Sequence, residues 1–454
     1  MFSRLLAAFA DHKKAVARSD DASAKQSAQV AQAAQAAQQR AHRLFDSGDH
    51  AAARAAYDQL ISADAAPGLL VNRGYCELML GEADTARESF RAALARAPHL
   101  AEAWVGLGDI AAQHNQHAEA LRCYDSALAL NAALLVARNN RAQSLLALGR
   151  LEEAWRESET RFALPNAATL YPHRLALPRW DGATAARVLV HWEQGFGDII
   201  QHLRFLPQVA TRLHGTGAAC AFECPPPLAR LVRRMPGAPP LIEASNSAPD
   251  SSGFDCCAAL LSLPLLLGAN ANKLPLPPYL QADVSRARAL RAAWQQDKTP
   301  LLVGLAWRAS AFDARRSLAL ADLLEALLTT RSDMRLVSLQ KDITEAERAL
   351  LTRHDAIDAG SMFNDFDDTA AALAALDSVI CVDTAVAHLA GALARPVSLL
   401  LNEPAATRWM LARTDTPWYP SMRLYRKRAE QAWAPLLKQA AAALPTSPSA
   451  PILK

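Results

Sequence analysis

The chain has 454 residues, too many for one ordinary hydrophobic core, so two or three domains are expected. A composition of 51% hydrophobic and 20% charged residues excludes a disordered or fibrous protein. The net charge of +3, with no dense basic run interleaved with aromatics, argues against a nucleic-acid partner.

The opening stretch "MFSRLLAAFADHKK" is interrupted by Asp11 and has no clean cleavage site, so it reads as a small amphipathic helix and not as a signal peptide. Residues 1–37 become rich in Ala and Gln, which predicts a helix or a partly disordered segment without chemistry of its own. A repeat follows over residues 38–162. The blocks "GDHAAARAAY", "GEADTARESF", "NQHAEALRCY" and "GRLEEAWRES" begin at Gly48, Gly81, Asn115 and Gly149, spacings of 33, 34 and 34 residues. Ala53, Ala86, Ala120 and Ala154 recur, with Tyr57, Phe90 and Tyr124 four residues further on; Ser158 breaks the aromatic series. Period and pattern resemble the tetratricopeptide repeat, a pair of antiparallel helices, as do Trp104, Leu107 and Gly108 in the other half of a unit. Such hairpins bury their apolar faces only against one another and stack into an α solenoid. Its concave face is expected to hold a protein or peptide; the alternative is that the repeats only brace the next domain or dimerise.

Residues 163–186 carry Pro165, Pro172 and Pro178 and read as a linker. Beyond it, short apolar strands alternate with helical stretches, which implies parallel sheets. The first series (residues 187–298) includes the strands "RVLVHW" and "AACAFEC" around a helix over Ile199–Leu213. The second (residues 299–444) includes "PLLVGLAW", "RLVSLQ", "SVICV" and "VSLLL", with helices over Leu318–Thr330, Thr344–Arg353 and Ala385–Leu393. A break near Gln281–Pro300 separates two Rossmann-like halves, and residues 445–454 form a tail. Seven scattered cysteines argue against a disulfide framework and for a reducing compartment. Cys220, Cys224, Cys256 and Cys257 lack the spacing of a zinc knuckle and read as buried thiols. The cationic cluster Arg423 to Arg428 reads as a solvated strand end. No run of about 18 apolar residues predicts a transmembrane segment. The expected compartment is cytoplasmic.

The segments "HWEQGFGDIIQHLRFLP", "DCCAALLSLPLLLG", "VGLAW", "RRS", "VSLQK", "VDTAVAHLAGALARPV" and "PWYPSMRLYR" occur in this order between Leu177 and Leu444. Together they resemble the glycosyltransferase-like domain that follows tetratricopeptide repeats in many bacterial proteins. That domain is similar to the lipopolysaccharide heptosyltransferases, glycosyltransferase family nine, which have the GT-B fold. The expected fold is thus an α solenoid followed by an α/β GT-B unit of two Rossmann-like halves. The N-terminal half would face the acceptor and the C-terminal half a nucleotide-sugar donor.

Sugar transfer needs a base for the acceptor proton, positive groups for the departing diphosphate, and a positioned donor. Open α/β sheets bind ligands at the carboxyl ends of their strands, and each candidate lies at such an end. Asp198 follows Gly195 and Gly197, which would let backbone approach a ligand. Ile200 stands where a dinucleotide fingerprint needs glycine, so no NAD site and no cofactor are expected. An acid here can simply cap the helix; the resemblance implies that Asp198 is the general base. Arg316 and Ser317 follow the strand "LLVGLAW". Ser317 reads as an N-cap, and the resemblance makes Arg316 the cation for the donor phosphates, although "RASAFDARRS" is shorter than the family's loop. Asp383 would meet a sugar or ribose hydroxyl, and the Thr384 and Ala385 amides the diphosphate. The resemblance adds His388, one turn beyond Thr384, to the donor site. "NDFDDT" imitates a D-x-D metal motif, but Asp365 and Asp367 read as helix caps and dipole partners, so no metal is expected. The leading reading is a metal-independent glycosyltransferase whose repeats recruit an acceptor or partner. The alternative is a non-catalytic binding or scaffold protein, favoured by the short loop after Trp307.

Overall fold

The computed structural model describes residues 29, 31–61, 66–164, 177–245, 250–295, 301–309 and 311–447. The expectations for "MFSRLLAAFADHKK", for half of the linker and for most of the tail lie outside them. Contacts divide the chain into two compact units, Met1–Asn140 and Arg141–Lys454.

The first unit is helical: α1 (residues 31–46), α2 (His50–Leu60), α3 (Pro67–Met79), α4 (Ala83–Arg96), α5 (Ala101–Gln113) and α6 (His117–Leu130), with α7 (Leu135–Ala147) running across the division. The periodic residues explain its packing. Ala53, Ala86 and Ala120 are wholly buried, as are the rings of Tyr57, Phe90 and Tyr124. Glycine makes room for two of these rings, Phe90 and Tyr124. A Cβ on Gly106 would stand 2.3 Å from Phe90 Cζ, and one on Gly108 would stand 2.5 Å from Tyr124 Cε1. Each aromatic knob therefore fills a socket that any side chain would close. The Tyr124 hydroxyl donates to Asp109 Oδ1 at 2.8 Å, and Asn140 Nδ2 donates to the same oxygen at 2.8 Å, so the buried polar tip is satisfied.

The second unit begins with the end of α7 and with α8 (Leu151–Ser158), which passes into a 3₁₀ turn over Glu159–Ala163. Leu151 and Trp155 are buried in the same core as the strands that follow. Those strands form two sheets, parallel throughout. β1 (Val188–His191), β2 (Cys220–Cys224), β3 (Leu241–Glu243) and β4 (Cys256–Ala259) lie in the order β3-β2-β1-β4. β5 (Leu301–Ala306), β6 (Met334–Ser338), β7 (Ile357–Asp358), β8 (Ser378–Val382), β9 (Val397–Asn402) and β10 (Met422–Lys427) lie in the order β10-β9-β8-β5-β6-β7. The near-continuous burial of β1, β2, β5 and β8 is what a sheet covered on both faces requires.

Helices cover the first sheet as α9 (Phe196–Leu203), α10 (Leu206–Leu213), α11 (Pro226–Arg233) and the short α12 (Leu263–Leu266). The single helix expected over Ile199–Leu213 is thus two, with Pro207 in the first turn of the second, where its missing N–H costs nothing. The expected break near Gln281–Pro300 holds α13 (Val284–Trp294), capped by Asp283. Arg291 on α13 donates to the Ala375 carbonyl and the buried Asp377 carboxylate. Around the second sheet lie α14 (Leu320–Thr330), α15 (Glu345–Arg353), α16 (Phe366–Ala375), α17 (Ala385–Ala392) and α18 (Ala434–Ala442). The last was not anticipated; its Leu437, Ala440 and Ala441 share a core with Leu323 and Leu327 of α14.

Asp365 caps α16, accepting from the Asp367 and Asp368 amides. Asp367 and Asp368 are buried and paired with Arg230, Arg234 and Arg286 of α11, its C-terminal end and α13. All seven cysteines are free and buried. No helix among the described residues is long and apolar enough to cross a membrane.

Candidate active site

β1 ends at His191, and the chain turns through Gln194 (φ 62°) so that Gly195 becomes the N-cap of α9. Asp198 falls in the third position of the helix and caps nothing. Its Oδ1 accepts from Arg408 Nη1 at 2.6 Å, and the two side chains are 20% and 24% exposed. Gly197 matters by close approach, but to protein and not to a ligand: a Cβ there would stand 2.8 Å from His388 Cδ2.

His388 is buried behind this contact. Its ring stacks on Trp409 with centroids 5.1 Å apart, and its Nδ1 lies 2.9 Å from the Tyr419 hydroxyl. Its Nε2 is 3.8 Å from Asp383 Oδ1, beyond a hydrogen bond. Burial first, and then the Arg408 guanidinium, hold its pKa well below the ordinary value, so the imidazole is neutral. His202, one turn beyond Asp198, donates from Nδ1 to the Asp198 carbonyl at 2.8 Å, and burial lowers its pKa to about 4. Burial opposes the charge on Arg408, but Asp198 and Asp383 outweigh it and raise its pKa.

Arg316 donates to the Asp383 carbonyl at 3.2 Å and lies 3.5 Å from Asp383 Oδ2. The expected phosphate cation is thus partly neutralised by an expected sugar-binding acid. Ser317 does not cap a helix. α14 begins at Leu320 with Ala319 at the cap, and Ser317 Oγ instead accepts from the Ala309 amide at 3.0 Å, closing the short loop on itself. The helix that follows β8 starts at Thr384, whose Oγ1 is buried and without a hydrogen-bond partner.

Thr384 opens onto a cavity of about 300 Å³. It lies at the carboxyl ends of β5, β6 and β8, where Arg308, Gln340, Lys341, Asn364 and Ala385 line it. Phe196, from the other half, and Phe366 enclose it, with ring centroids 5.0 Å apart. Of the expected site residues, Thr384 and Ala385 line this cavity. Asp198 pairs with Arg408, whose charge also acts on Asp383 and His388, and Arg316 meets Asp383; this group adjoins the cavity through the neighbours Phe196 and Thr384. Lys341 and Gln340 end a predicted strand, so the strand-end rule could have found them. Arg408 has no local signal. It sits 210 positions from its partner, in a loop after β9. Nor does Arg426, which was read as part of a solvated cluster: it donates to the carbonyls of Trp409, Met410 and Arg413 and to Glu403, and so ties down that loop. Arg423 and Arg428 are exposed.

A helical-repeat unit followed by two parallel sheets, with a largely apolar cavity carrying a few polar groups at strand carboxyl ends, defines a solenoid joined to a GT-B-like unit. Residues 39–101, 80–134 and 105–168 match the tetratricopeptide-repeat family, and residues 269–442 match glycosyltransferase family 9 (heptosyltransferase). The chain therefore carries tetratricopeptide repeats and a C-terminal family 9 glycosyltransferase domain. The second match begins after Asp198. Among curated proteins the chain is similar to Protein FlbA of Caulobacter vibrioides, 29% identical over 329 residues, which are 67% of this chain and 54% of that protein. The chain thus spans about half the length of that relative. Among solved structures it is similar to a family 9 glycosyl transferase of Veillonella parvula (12% identity, TM-score 0.43, 54% of this chain and 88% of that one). It is also similar to the ADP-heptose lipopolysaccharide heptosyltransferase II of E. coli (15% identity, TM-score 0.37, 56% and 98%).

Proposed function

We propose that the protein transfers a sugar from a nucleotide-sugar to an acceptor brought by the repeats. The observation that carries this reading is the cavity at the carboxyl ends of β5, β6 and β8. It combines a cation, Lys341, with an aromatic wall and the N-terminus of α17, where Thr384 offers a buried, unpartnered hydroxyl. Helix N-termini and such hydroxyls suit a diphosphate. Asp383, held by Arg316, is left to orient a sugar or ribose hydroxyl. Asp198 binds Arg408 through Oδ1, and Oδ2 is the base. As the acceptor oxygen bonds to the anomeric carbon, its proton passes to Oδ2. The anomeric carbon–oxygen bond breaks, and the departing nucleoside diphosphate carries its new charge toward Lys341 and the α17 amides. Arg408 keeps Asp383 as its counter-charge once Asp198 is protonated. No metal has a role in this scheme.

A panel of ADP, GDP, UDP and CDP tests the donor site. One of them should raise the melting temperature, and Lys341→Ala and Thr384→Val should each weaken the shift. If none has an effect at millimolar concentration, the donor assignment fails. One observation favours a second reading, a binding protein without transfer: the Asp198 carboxylate is already engaged by Arg408. Slow release of nucleoside diphosphate from the bound nucleotide-sugar, lost in Asp198→Asn, would decide for the enzyme.

A further inference from the structure

The loop that leads into α9 and the loop that carries Arg408 are far apart in sequence, yet both are fastened to one short segment, the end of the repeat region within the second unit. Arg161, in the 3₁₀ turn after α8, forms a two-pronged pair with Glu193. Nε donates to Oε2 at 3.0 Å and Nη2 to Oε1 at 2.7 Å, with both side chains buried. Glu193 stands five residues before Asp198 and is the only acid in the loop between β1 and α9. Its Oε1 also accepts from the Leu261 amide at 3.2 Å. On the other side, Gln143 of α7 accepts from the Thr407 hydroxyl at 2.9 Å. The Ala147 carbonyl, at the end of α7, accepts from the Leu411 amide at 2.9 Å. Thr407 and Leu411 flank Arg408. The two loops meet in the Asp198–Arg408 bond, so this segment touches both arms of one ion pair.

We infer that residues 141–163 are a working part of the candidate site: Arg161 is a positioning residue that sets the loop leading into α9 and so Asp198 in its first turn, and Gln143 with Ala147 sets the Arg408 loop. The physical reason is geometric. Loops carry few constraints of their own and open locally at little cost. A base must be held to within a fraction of an ångström to be useful. A buried bidentate arginine–carboxylate pair fixes direction as well as distance. This brace rests on the transferase reading for the role of Asp198, but not for its existence.

Hydrogen–deuterium exchange on the full chain tests it without any substrate. In the double variant Arg161→Gln/Glu193→Gln, which leaves no lone buried charge, amides of residues 192–198 and 403–413 should exchange roughly 10-fold faster or more. Those of β5 and β8 should not change. Arg161→Lys alone should restore much of the protection over 192–198, because a cation again meets Glu193, whereas a purely space-filling role would give no such rescue. Thr407→Val, a milder change on an exposed contact, should quicken exchange over 403–413 and, through Arg408, over 192–198; it keeps the idea testable if the double variant does not fold. Unchanged exchange over 192–198 in both the double variant and Thr407→Val would overturn the brace. Faster exchange in a protein that binds no nucleoside diphosphate would sink the transferase reading and leave the brace standing.

Discussion

The two units hold themselves together by different means. In the repeats, one aromatic ring drops into a gap left by glycine on a neighbouring helix at Phe90 and Tyr124, and Tyr57 packs in one core with the small Ala41 and Ala53. Every partner lies within one repeat length. In the second unit the sheets are equally apolar, but the contacts that set the candidate site are charged and long-range: Asp198 with Arg408, Glu193 with Arg161, Asp367 with Arg230 and Arg234. A local pattern suffices to build a solenoid. A site for chemistry is assembled from whatever distant loops the fold brings to the ends of the strands.

That contrast can be broken most sharply at Asp198. Asp198→Asn keeps the size and an oxygen for Arg408, so unfolding should change little. The transfer rate should fall roughly 10²–10⁴-fold if the carboxylate takes the proton. A stable variant with undiminished turnover would remove the base role. In the first unit the opposite signature is expected. Phe90→Ala empties a socket shaped for the ring and should lower the free energy of unfolding by about 3–5 kcal/mol, followed by helical circular dichroism in denaturant. It should leave nucleoside diphosphate binding intact.

Buried titratable groups give the second unit a pH dependence whose two parts have opposite sign. Folded His202 stays neutral down to about pH 4, whereas in the unfolded chain it takes a proton near 6.5. Between these values the unfolded state binds more protons. Stability is therefore whole above 6.5 and falls as the pH drops, by roughly 3 kcal/mol, a loss that His202→Gln should remove. Glu223 acts the other way. Burial raises its pKa from 4.5 to about 7, so the folded state holds the extra proton and stability declines as pH rises through that window. Glu223→Gln should flatten this decline in melts between pH 5 and 8. The smallest effect belongs to a local motif inside the second unit. Thr344 and Glu347 form a capping box at the start of α15, and Thr344→Ala should cost only about 1 kcal/mol in a denaturant titration.

Legibility in the sequence follows the same division. The 33–34-residue period, the buried alanines and the aromatic sockets could be read directly, because repetition converts a packing rule into a visible pattern. β1, β2, β5, β6, β8 and β9 could be read from their apolar runs, and the capping role of Asp365 from its place before a helical run; the short β4 and β7 could not. α13 could not. Its sequence "VSRARALRAAW" has a weak apolar stripe, since its arginines serve acids on other elements. Ser317 was misread because a serine before a helix is the usual cap, yet here a short loop claims its oxygen first. Arg408 and Arg161 were invisible as site residues for a simpler reason: no local rule says which acid, across tens or hundreds of positions, an arginine will meet.

The pairing of Arg161 with Glu193 also decides where this protein comes apart. The proline-containing stretch beyond Leu164 looks like the seam between two modules, but Leu151, Trp155 and Arg161 on its near side are already built into the core on its far side. A protease that cuts within residues 165–176 should therefore yield two pieces that stay together through a gel-filtration column. Exchange of one solenoid for another, by recombination or by design, has to join at Asn140 or before it, leaving residues 141–163 with the second unit, into whose core they are built.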